Sequence, residues 1–261
     1  MAPAGPDATG APTGAFKDHF SGHAGTYALY RPTYPARLFE WLAGAAPRRV
    51  NAWDVGTGSG QAAVGLAGHF ARVVGTDASA AQLGHATAHP RVEYRVAPAE
   101  ASGLPDGWAD LVTVAQALHW FDHPGFFAEA KRVLAPDGLL AVWCYGDPWL
   151  DDPAVDRIVH RYNRDTVEEY WPPERDLVLA EYRPIAFPFR EIATPVLALE
   201  ASWTLPQLAG YLRSWSATVR YAQVLGRDPV AGLEEQLGDV WGLSDRRCLV
   251  RWPITIRAGR P

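Results

Sequence analysis

The sequence predicts an α/β fold built on a doubly wound, largely parallel sheet, and three observations support that prediction. Strand-like and helix-like segments alternate from residue 50 to residue 145. A glycine-rich turn joins the first strand of this series to its first helix, as in the nucleotide-binding crevices of α/β proteins. Strand character returns twice near the C-terminus, on either side of helical segments. Alternation of this kind favours a parallel sheet with helices on both faces.

Each element follows from its local pattern. Short apolar runs rich in β-branched residues predict strands at 50–54, 71–76, 92–96, 109–114 and 139–145. Helical segments are predicted at 61–70, 79–85 and 124–134, with Ser79 as an N-cap and Pro136-Asp137-Gly138 as the turn after the third. Late strands at 194–203 and 247–256, with helices at 205–218 and 230–240, predict the antiparallel end of the sheet.

The rest of the chain sets the domain organisation. Residues 1–14 are rich in Ala, Pro and Gly and are predicted to be a disordered tail. Residues 15–261 form one predicted domain. Within it, residues 147–188 break the alternation with several prolines and a predicted helix at 156–170. We interpret 147–188, called the cap segment below, as an inserted lid or substrate-pocket wall.

Composition excludes several classes of protein. The chain has 261 residues, a net charge of −5 and a sequence pI of about 5.9, which argues against a nucleic-acid substrate. No apolar run is long enough to span a membrane, and no signal peptide is evident, so the cytoplasm is the expected location. Cys144 and Cys248 lie in apolar surroundings and are predicted to be buried free thiols. We expect no metal site, and composition gives no prediction of the oligomeric state.

The glycine spacing of the turn differs from that of a dinucleotide-binding turn. Gly56, Gly58 and Gly60 follow Asp54, whereas a dinucleotide-binding turn would carry glycine or alanine at position 61; here Gln61 follows the third glycine. Glycine lets the backbone turn sharply and approach a ligand closely. Asp54 is expected to orient the turn by accepting backbone N–H bonds, or to meet a cofactor amino group through water.

Asp77 ends the second predicted strand, 17 positions after Gly60. This is close to the spacing at which an acidic residue binds the hydroxyl groups of a ribose. Its alternative role is to cap the helix that begins near Ser79. Both roles stay open on the sequence alone, and we favour the ribose contact.

The segment after the fourth strand runs Ala-Gln-Ala-Leu-His-Trp-Phe-Asp and ends near the crossover point of the predicted sheet, where ligands bind. His119 is the nearby side chain whose ordinary pKa suits a general base. Its alternative role, shared with Trp120, is to form the pocket wall. Tyr211 and Trp215 are four residues apart on one predicted helix face, so they are either pocket wall or core.

An aromatic cluster near the N-terminus surrounds one arginine, Arg31, with Tyr30 beside it. A guanidinium binds a carboxylate through two hydrogen bonds. The predicted partner of Arg31 is a cofactor carboxylate or a substrate carboxylate. The alternative is a surface arginine among packed rings.

Four motifs together resemble the class I S-adenosylmethionine-dependent methyltransferases, and in particular the type 11, trans-aconitate methyltransferase-like family of small-molecule enzymes. They are F-K-D-H-F with Y-R-P-T-Y-P, D-V-G-T-G-S-G-Q, A-Q-A-L-H-W-F-D and G-Y-L-R-S-W-S. The resemblance covers roughly residues 15–256. It implies a Rossmann-like seven-stranded sheet with an N-terminal helical arm and an inserted cap.

The resemblance also implies roles for single residues. S-adenosylmethionine is the implied cofactor and S-adenosylhomocysteine the product. The main chain at Gln116 is expected near the methionine end of the cofactor, and the backbone of Ala99 near the adenine. Pro98 replaces the aspartate that many relatives carry there, so Glu100 is the expected partner of the adenine amine; its alternative role is that of a solvated loop carboxylate.

The implied reaction is methyl transfer to a small molecule, through a carboxylate or another oxygen or nitrogen nucleophile. A carboxylate needs no base, whereas a phenol or amine could use His119 or Tyr30. The glycine spacing argues against the alternative of a nicotinamide oxidoreductase. A tRNA-modifying methyltransferase and a non-catalytic S-adenosylmethionine-binding protein remain as alternatives.

Overall fold

The computed structural model describes residues 32–261, which form a mixed sheet flanked by helices. The predicted helical arm and tail before residue 32 lie outside the described residues. The described strands are β1 Asn51–Val55, β2 Arg72–Asp77, β3 Val92–Val96, β4 Ala109–Ala115, β5 Leu134–Tyr145, β6 Trp149–Leu150, β7 Arg190–Glu191, β8 Leu197–Trp203 and β9 Cys248–Arg260.

These strands fill seven positions in the sheet. The order is β3-β2-β1-β4-β5-β9, and β8 pairs with the other edge of β9. The pairs among β1 to β5 are parallel, whereas β9 is antiparallel to its neighbours. β6 lies on the same edge of β9 as β5, and β7 lies on the same edge as β8, so each short strand prolongs a longer one. The predicted doubly wound sheet with an antiparallel end is confirmed.

The helices begin close to the positions that their caps dictate. Ser79 accepts a hydrogen bond from the Gln82 N–H, as predicted for an N-cap, and Asp122 and Asp152 cap the helices that follow them. The described helices are α1 Ala36–Ala45, α2 Gln61–Ala67, α3 Ala80–Leu83, α4 His123–Val133, α5 Pro153–Tyr162, α6 Arg175–Leu179, α7 Leu205–Arg213, α8 Ser216–Leu225 and α9 Val230–Trp241, with a 3₁₀ turn at Leu118–Trp120.

Two hydrophobic cores lie on opposite faces of the sheet, because successive strand residues point to opposite faces. In β5, Ala141 and Trp143 join the core that contains α1, α2 and the C-terminal helices. Val142 and Cys144 join the core that contains α4 and part of the cap segment. Both cysteines are buried and free, as predicted. Both faces of the sheet are thus covered, so a ligand site is expected at the carboxyl ends of its strands.

The start of β5 corrects one prediction. The tripeptide Pro136-Asp137-Gly138 was expected to separate helix from strand, but the strand already begins at Leu134. Leu134 pairs with Ala109 and Leu139 pairs with Leu111, so the residues between them bulge out of β5. The turn-forming residues therefore occupy a bulge within the strand.

Two predicted helices are interrupted. The helix predicted at 205–218 is interrupted at Ser214, whose hydroxyl donates to the Tyr211 carbonyl oxygen, and α8 starts anew at Ser216. The helix predicted at 156–170 ends at Tyr162 and continues as a π turn and a 3₁₀ turn. Both breaks lie beside the cavity described below.

Candidate active site

The glycine turn between β1 and α2 requires glycine at its three positions. Gly56, Gly58 and Gly60 have φ angles of 64°, 53° and 80°, a region that other residues rarely adopt. A Cβ on Gly56 would lie 2.7 Å from the Cβ of Ala117, and a Cβ on Gly60 would collide with the Tyr94 hydroxyl. A Cβ on Gly58 would meet no described residue beyond its chain neighbours closer than the Gln82 side-chain oxygen at 3.9 Å. The turn is therefore tightly packed on one side and open at its centre.

Asp77 links the glycine turn to the start of α3 through two hydrogen bonds. One carboxylate oxygen accepts the Gly58 N–H at 2.9 Å, and the other accepts the Ser79 N–H at 2.9 Å. Ser79, rather than Asp77, is the N-cap residue of α3. Asp77 therefore stands at the carboxyl end of β2 beside the turn, and its contact with a ribose stays a prediction.

Asp54 is completely buried beneath the turn. Its carboxylate accepts hydrogen bonds from the hydroxyls of Thr57 at 2.6 Å and Thr113 at 2.7 Å, and from the backbone of Ala63. The sequence predicted backbone N–H donors from the turn, whereas the turn contributes a hydroxyl. Burial raises the pKa of Asp54 to about 6, because desolvation outweighs these hydrogen bonds. Asp54 thus holds the turn from below.

The raised pKa predicts a pH-dependent stability. Because the folded pKa of Asp54 lies above its ordinary value of 3.8, the folded state holds this proton more tightly than the unfolded state. The contribution is present below the unfolded pKa and is lost as pH rises through about 6. Ionisation should cost about 3 kcal/mol at neutral pH. In Asp54→Asn this dependence should vanish, which urea unfolding of both proteins across this range measures. Equal pH slopes would contradict it.

Gln116 lies directly after β4 with a φ of 56°. Its N–H donates to the Trp143 carbonyl at 2.9 Å, and its side-chain amide exchanges two hydrogen bonds with the backbone of Tyr145. The side chain thus continues the pairing of β4 with β5. Since the N–H is used within the sheet, the carbonyl is the main-chain group of Gln116 left for the expected cofactor contact, which stays a prediction.

The predicted adenine residues lie after β3. Ala99 is buried, and Glu100 accepts the Asp122 N–H at 3.1 Å through one carboxylate oxygen. Glu100 therefore supports the start of α4. Its predicted contact with an adenine amine stays a prediction.

A cavity lies at the carboxyl ends of β4 and β5. The three predicted pocket residues, Trp120, Tyr211 and Trp215, all line it. His119 and Gln116 line it as well. Tyr211 also accepts the Trp252 indole N–H at 2.9 Å, so it serves both core and cavity. The structure thus brings together residues from two distant parts of the sequence.

The cap segment adds wall residues that the sequence analysis missed. Arg175 donates to Asp147 at 2.5 Å, and its guanidinium carbon lies 4.1 Å from the centre of the Trp171 ring. Asn163 donates to Asp147 and accepts the Trp171 indole N–H. Asp147, Trp171 and Arg175 all line the cavity. No sequence signal separates these residues from ordinary solvated charges and proline-rich loop aromatics.

Tyr182, which also belongs to the cap segment, contacts His119. Its Nδ1 lies 2.9 Å from the hydroxyl of Tyr182, which is 1% exposed. Burial lowers the pKa of His119 to about 3, with a smaller effect from His123. The imidazole is therefore neutral at neutral pH and a weak base. This favours the interpretation of His119 as pocket wall over that of a general base.

Two predicted residues, Tyr30 and Arg31, lie outside the described residues, and their roles stay predictions. Between residues 32 and 261, no cluster of three His, Cys, Asp or Glu side chains is arranged to hold a metal ion. Over the same range, no helix combines the length and the apolar character that crossing a membrane requires.

Comparison with known proteins identifies the family. A family described as a methyltransferase domain matches residues 53–142. A candidate methyltransferase of Dictyostelium discoideum is 34% identical over 233 residues, which is 88% of this chain and 89% of that protein. The chain belongs to the class I S-adenosylmethionine-dependent methyltransferases. The structure of a candidate type II methyltransferase from Anaeromyxobacter dehalogenans aligns with a TM-score of 0.83 and 45% identity, covering 88% of this chain and 98% of that one.

A third relative bears on the cofactor. A Saccharomyces cerevisiae protein named as a candidate S-adenosylmethionine-dependent methyltransferase is 29% identical over 168 residues, covering 60% of this chain and 58% of that protein. S-adenosylmethionine is the cofactor of the methyltransferase described here. The described residues fit it: they leave room for a ligand close to the backbone of Gly58, and the Asp77 carboxylate lies beside that position.

Proposed function

We propose that this methyltransferase transfers a methyl group from S-adenosylmethionine to a small molecule held in the cavity. The observation that supports this most directly is the position of the cavity. It opens beside Gln116 at the strand ends, and Trp120, Tyr211 and Trp215 supply flat apolar walls for a small ligand. The bound cofactor would supply an electrophilic methyl group. The protein would hold the acceptor in line with it and exclude water.

The cofactor would be held by residues of the first half of the sheet. In this proposal the glycine turn lies against it, Asp77 binds the ribose, and the Ala99 backbone and Glu100 meet the adenine. The Gln116 carbonyl meets the methionine amino group. The proposed role of Arg31 is to bind the methionine carboxylate or an acceptor carboxylate.

Arg175 offers the cavity a group that can bind a carboxylate acceptor. Its side chain is 12% exposed, and within residues 32–261 Asp147 is the one hydrogen-bond acceptor of the guanidinium. The next carboxylate, Glu168, is 4.0 Å away. A guanidinium has five N–H donors, so Arg175 has capacity to bind an acceptor carboxylate. Such an acceptor is already ionised at neutral pH and needs no base, in keeping with the lowered pKa of His119.

The net charge of −5 disfavours a tRNA substrate, since phosphate-backbone binding needs a basic surface. A protein that binds S-adenosylmethionine without turnover would share the glycine turn. Measured turnover separates that alternative from the proposed enzyme.

The proposal predicts turnover with small carboxylates and its dependence on Arg175. When a panel of carboxylates, phenols and amines is offered as acceptors, we expect the enzyme to release S-adenosylhomocysteine with the carboxylates. With the best acceptor, Arg175→Met should lower kcat/KM by roughly 10- to 150-fold, as for the loss of a hydrogen bond to a charged group, and should leave S-adenosylhomocysteine affinity unchanged. Isothermal calorimetry measures that affinity.

The matched control is Arg183→Met. Arg183 lies in the same cap segment but is 73% exposed and pairs with Glu181 on the surface. It should behave as wild type. Turnover with phenols or amines alone would overturn the carboxylate class. Turnover with tRNA alone, or cofactor binding without turnover, would overturn the small-molecule proposal.

A further inference from the structure

We propose that Tyr182 fixes the tautomer of His119, so that the imidazole presents its Nε2–H to the acceptor as a hydrogen-bond donor. Tyr182 is then a positioning residue, and His119 selects acceptors that offer an oxygen atom at that place. The inference rests on the proposed function in one respect, namely that the cavity holds the acceptor. Nothing in the sequence pattern marked Tyr182 for this role.

The first step is the assignment of the proton between the two rings. Either partner of the 2.9 Å contact between His119 Nδ1 and the Tyr182 hydroxyl could donate. Tyr182 is 1% exposed, and among the described residues His119 Nδ1 is the one hydrogen-bond acceptor that its hydroxyl reaches. Because a buried hydroxyl proton without an acceptor is costly, the hydroxyl donates its one proton to Nδ1. Neutral His119 then carries its proton on Nε2.

The second step is the surroundings of His119. The groups that face it are the Tyr182 hydroxyl, the Trp120 ring at 4.6 Å between centroids, and His123 of α4. Across the cavity lie Asp147 and Arg175, which bind each other. No carboxylate of the described chain pairs with His119. The ring is therefore held neutral, and Nε2–H is directed away from Tyr182.

The third step is the support of Tyr182 itself. Glu181 and Tyr182 both have φ angles of 57°, a conformation that costs free energy in residues other than glycine and asparagine. Arg257 of β9 donates to the carbonyls of Tyr182 at 2.9 Å and Ile185 at 2.8 Å, and pairs with Glu191. The left-handed backbone is thus held by a side chain from the far end of the sequence.

The consequence for the acceptor follows from hydrogen-bond matching. An acceptor oxygen that faces His119 accepts the Nε2–H, whereas an ammonium or another donor would leave two donors opposed and unpaired. Together with Arg175 on another wall, His119 favours an acceptor with oxygen atoms at two points. A general base at His119 is not required.

The proposal is tested by measuring which ring nitrogen of His119 carries the proton. In full-length protein labelled with ¹⁵N at histidine, long-range ¹H–¹⁵N spectra distinguish Nδ1–H from Nε2–H, and His119→Gln identifies the signals of His119. We expect the Nε2–H form in the wild type and a mixture of both forms in Tyr182→Phe. An Nδ1–H form in the wild type, or an unchanged distribution in Tyr182→Phe, would overturn the proposal.

A kinetic measurement separates positioning from a general structural effect. Tyr182→Phe should raise the KM of the acceptor by roughly 5- to 10-fold, as expected for one neutral hydrogen bond, with S-adenosylhomocysteine affinity unchanged. The control is Tyr162→Phe, which removes a buried hydroxyl that bonds Thr218 and does not line the cavity; its KM should stay at the wild-type value. An equal KM in both variants would overturn the donor role. Absence of turnover in the wild type would instead count against the proposed function and leave the tautomer result standing.

Discussion

Asp77→Ala should weaken the binding of S-adenosylhomocysteine by roughly 30- to 1000-fold, equivalent to about 2–4 kcal/mol. The proposed ribose contact would lose two charge-assisted hydrogen bonds. The same substitution removes the acceptor of the Gly58 N–H, which lies 2.9 Å from the carboxylate. The turn would then lose the contact that ties it to the end of β2. Isothermal calorimetry with S-adenosylhomocysteine measures the change.

The matched control is Asp239→Ala, because Asp239 is exposed on α9 and far along the chain from the turn. It should bind the cofactor product as the wild type does. Circular dichroism and urea unfolding establish that Asp77→Ala is folded. Wild-type affinity in a folded Asp77→Ala protein would show that Asp77 only supports the backbone of the turn and α3.

Trp252→Ala should lower the free energy of unfolding by about 3–5 kcal/mol, the usual cost of removing a buried Trp ring. Trp252 is 0% exposed in β9. Its ring contacts Trp203 and Tyr211, and its indole N–H donates to the Tyr211 hydroxyl at 2.9 Å. The variant leaves a cavity behind the pocket wall and removes the indole donor to the Tyr211 hydroxyl. Urea unfolding measures the loss, and Tm should fall by on the order of 10 °C.

The control is Trp149→Ala, which removes the same side chain from an exposed position. Trp149 is 64% exposed on β6, so its removal should cost less than about 1 kcal/mol. The folded fraction of Trp252→Ala should still bind S-adenosylhomocysteine, since Trp252 lies in the other half of the sheet. Equal stability of the two variants would contradict the packing argument.

Local patterns were enough to predict the first half of the fold. The strand at 92–96 was predicted to the residue, and the glycine turn was placed where three positive φ angles occur. Both depend on interactions within a few residues: alternation along a strand, and the need for glycine where φ is positive. Trp120 was also placed at the pocket, because the carboxyl ends of parallel strands meet at one edge of a sheet. Tyr211 and Trp215 were named from their spacing on one helix face, as pocket wall or core.

Features that depend on distant partners could not be predicted. The bulge at Pro136-Asp137-Gly138 is visible only in the pairing of β5 with β4, since the same residues read locally as a turn. Tyr182 reaches His119 across 63 positions and is itself held by Arg257 across 75. Arg175 lies in a proline-rich stretch with no periodicity to indicate its burial. Such contacts are set by the packing of the cap segment on the sheet.

The walls of the cavity have consequences for how this fold changes over evolutionary time. Residues 54–122 contain the turn, Asp77 and the segment after β4, whereas the facing walls come from 145–147, 171–179 and 211–216. Substitutions in these walls would therefore reshape the proposed acceptor site without changing the residues proposed to bind the cofactor. A chimera that carries the facing walls of a relative should exchange the preferred acceptor and retain the affinity for S-adenosylhomocysteine. Diversification of substrates in such a fold then needs no change in the chemistry of transfer.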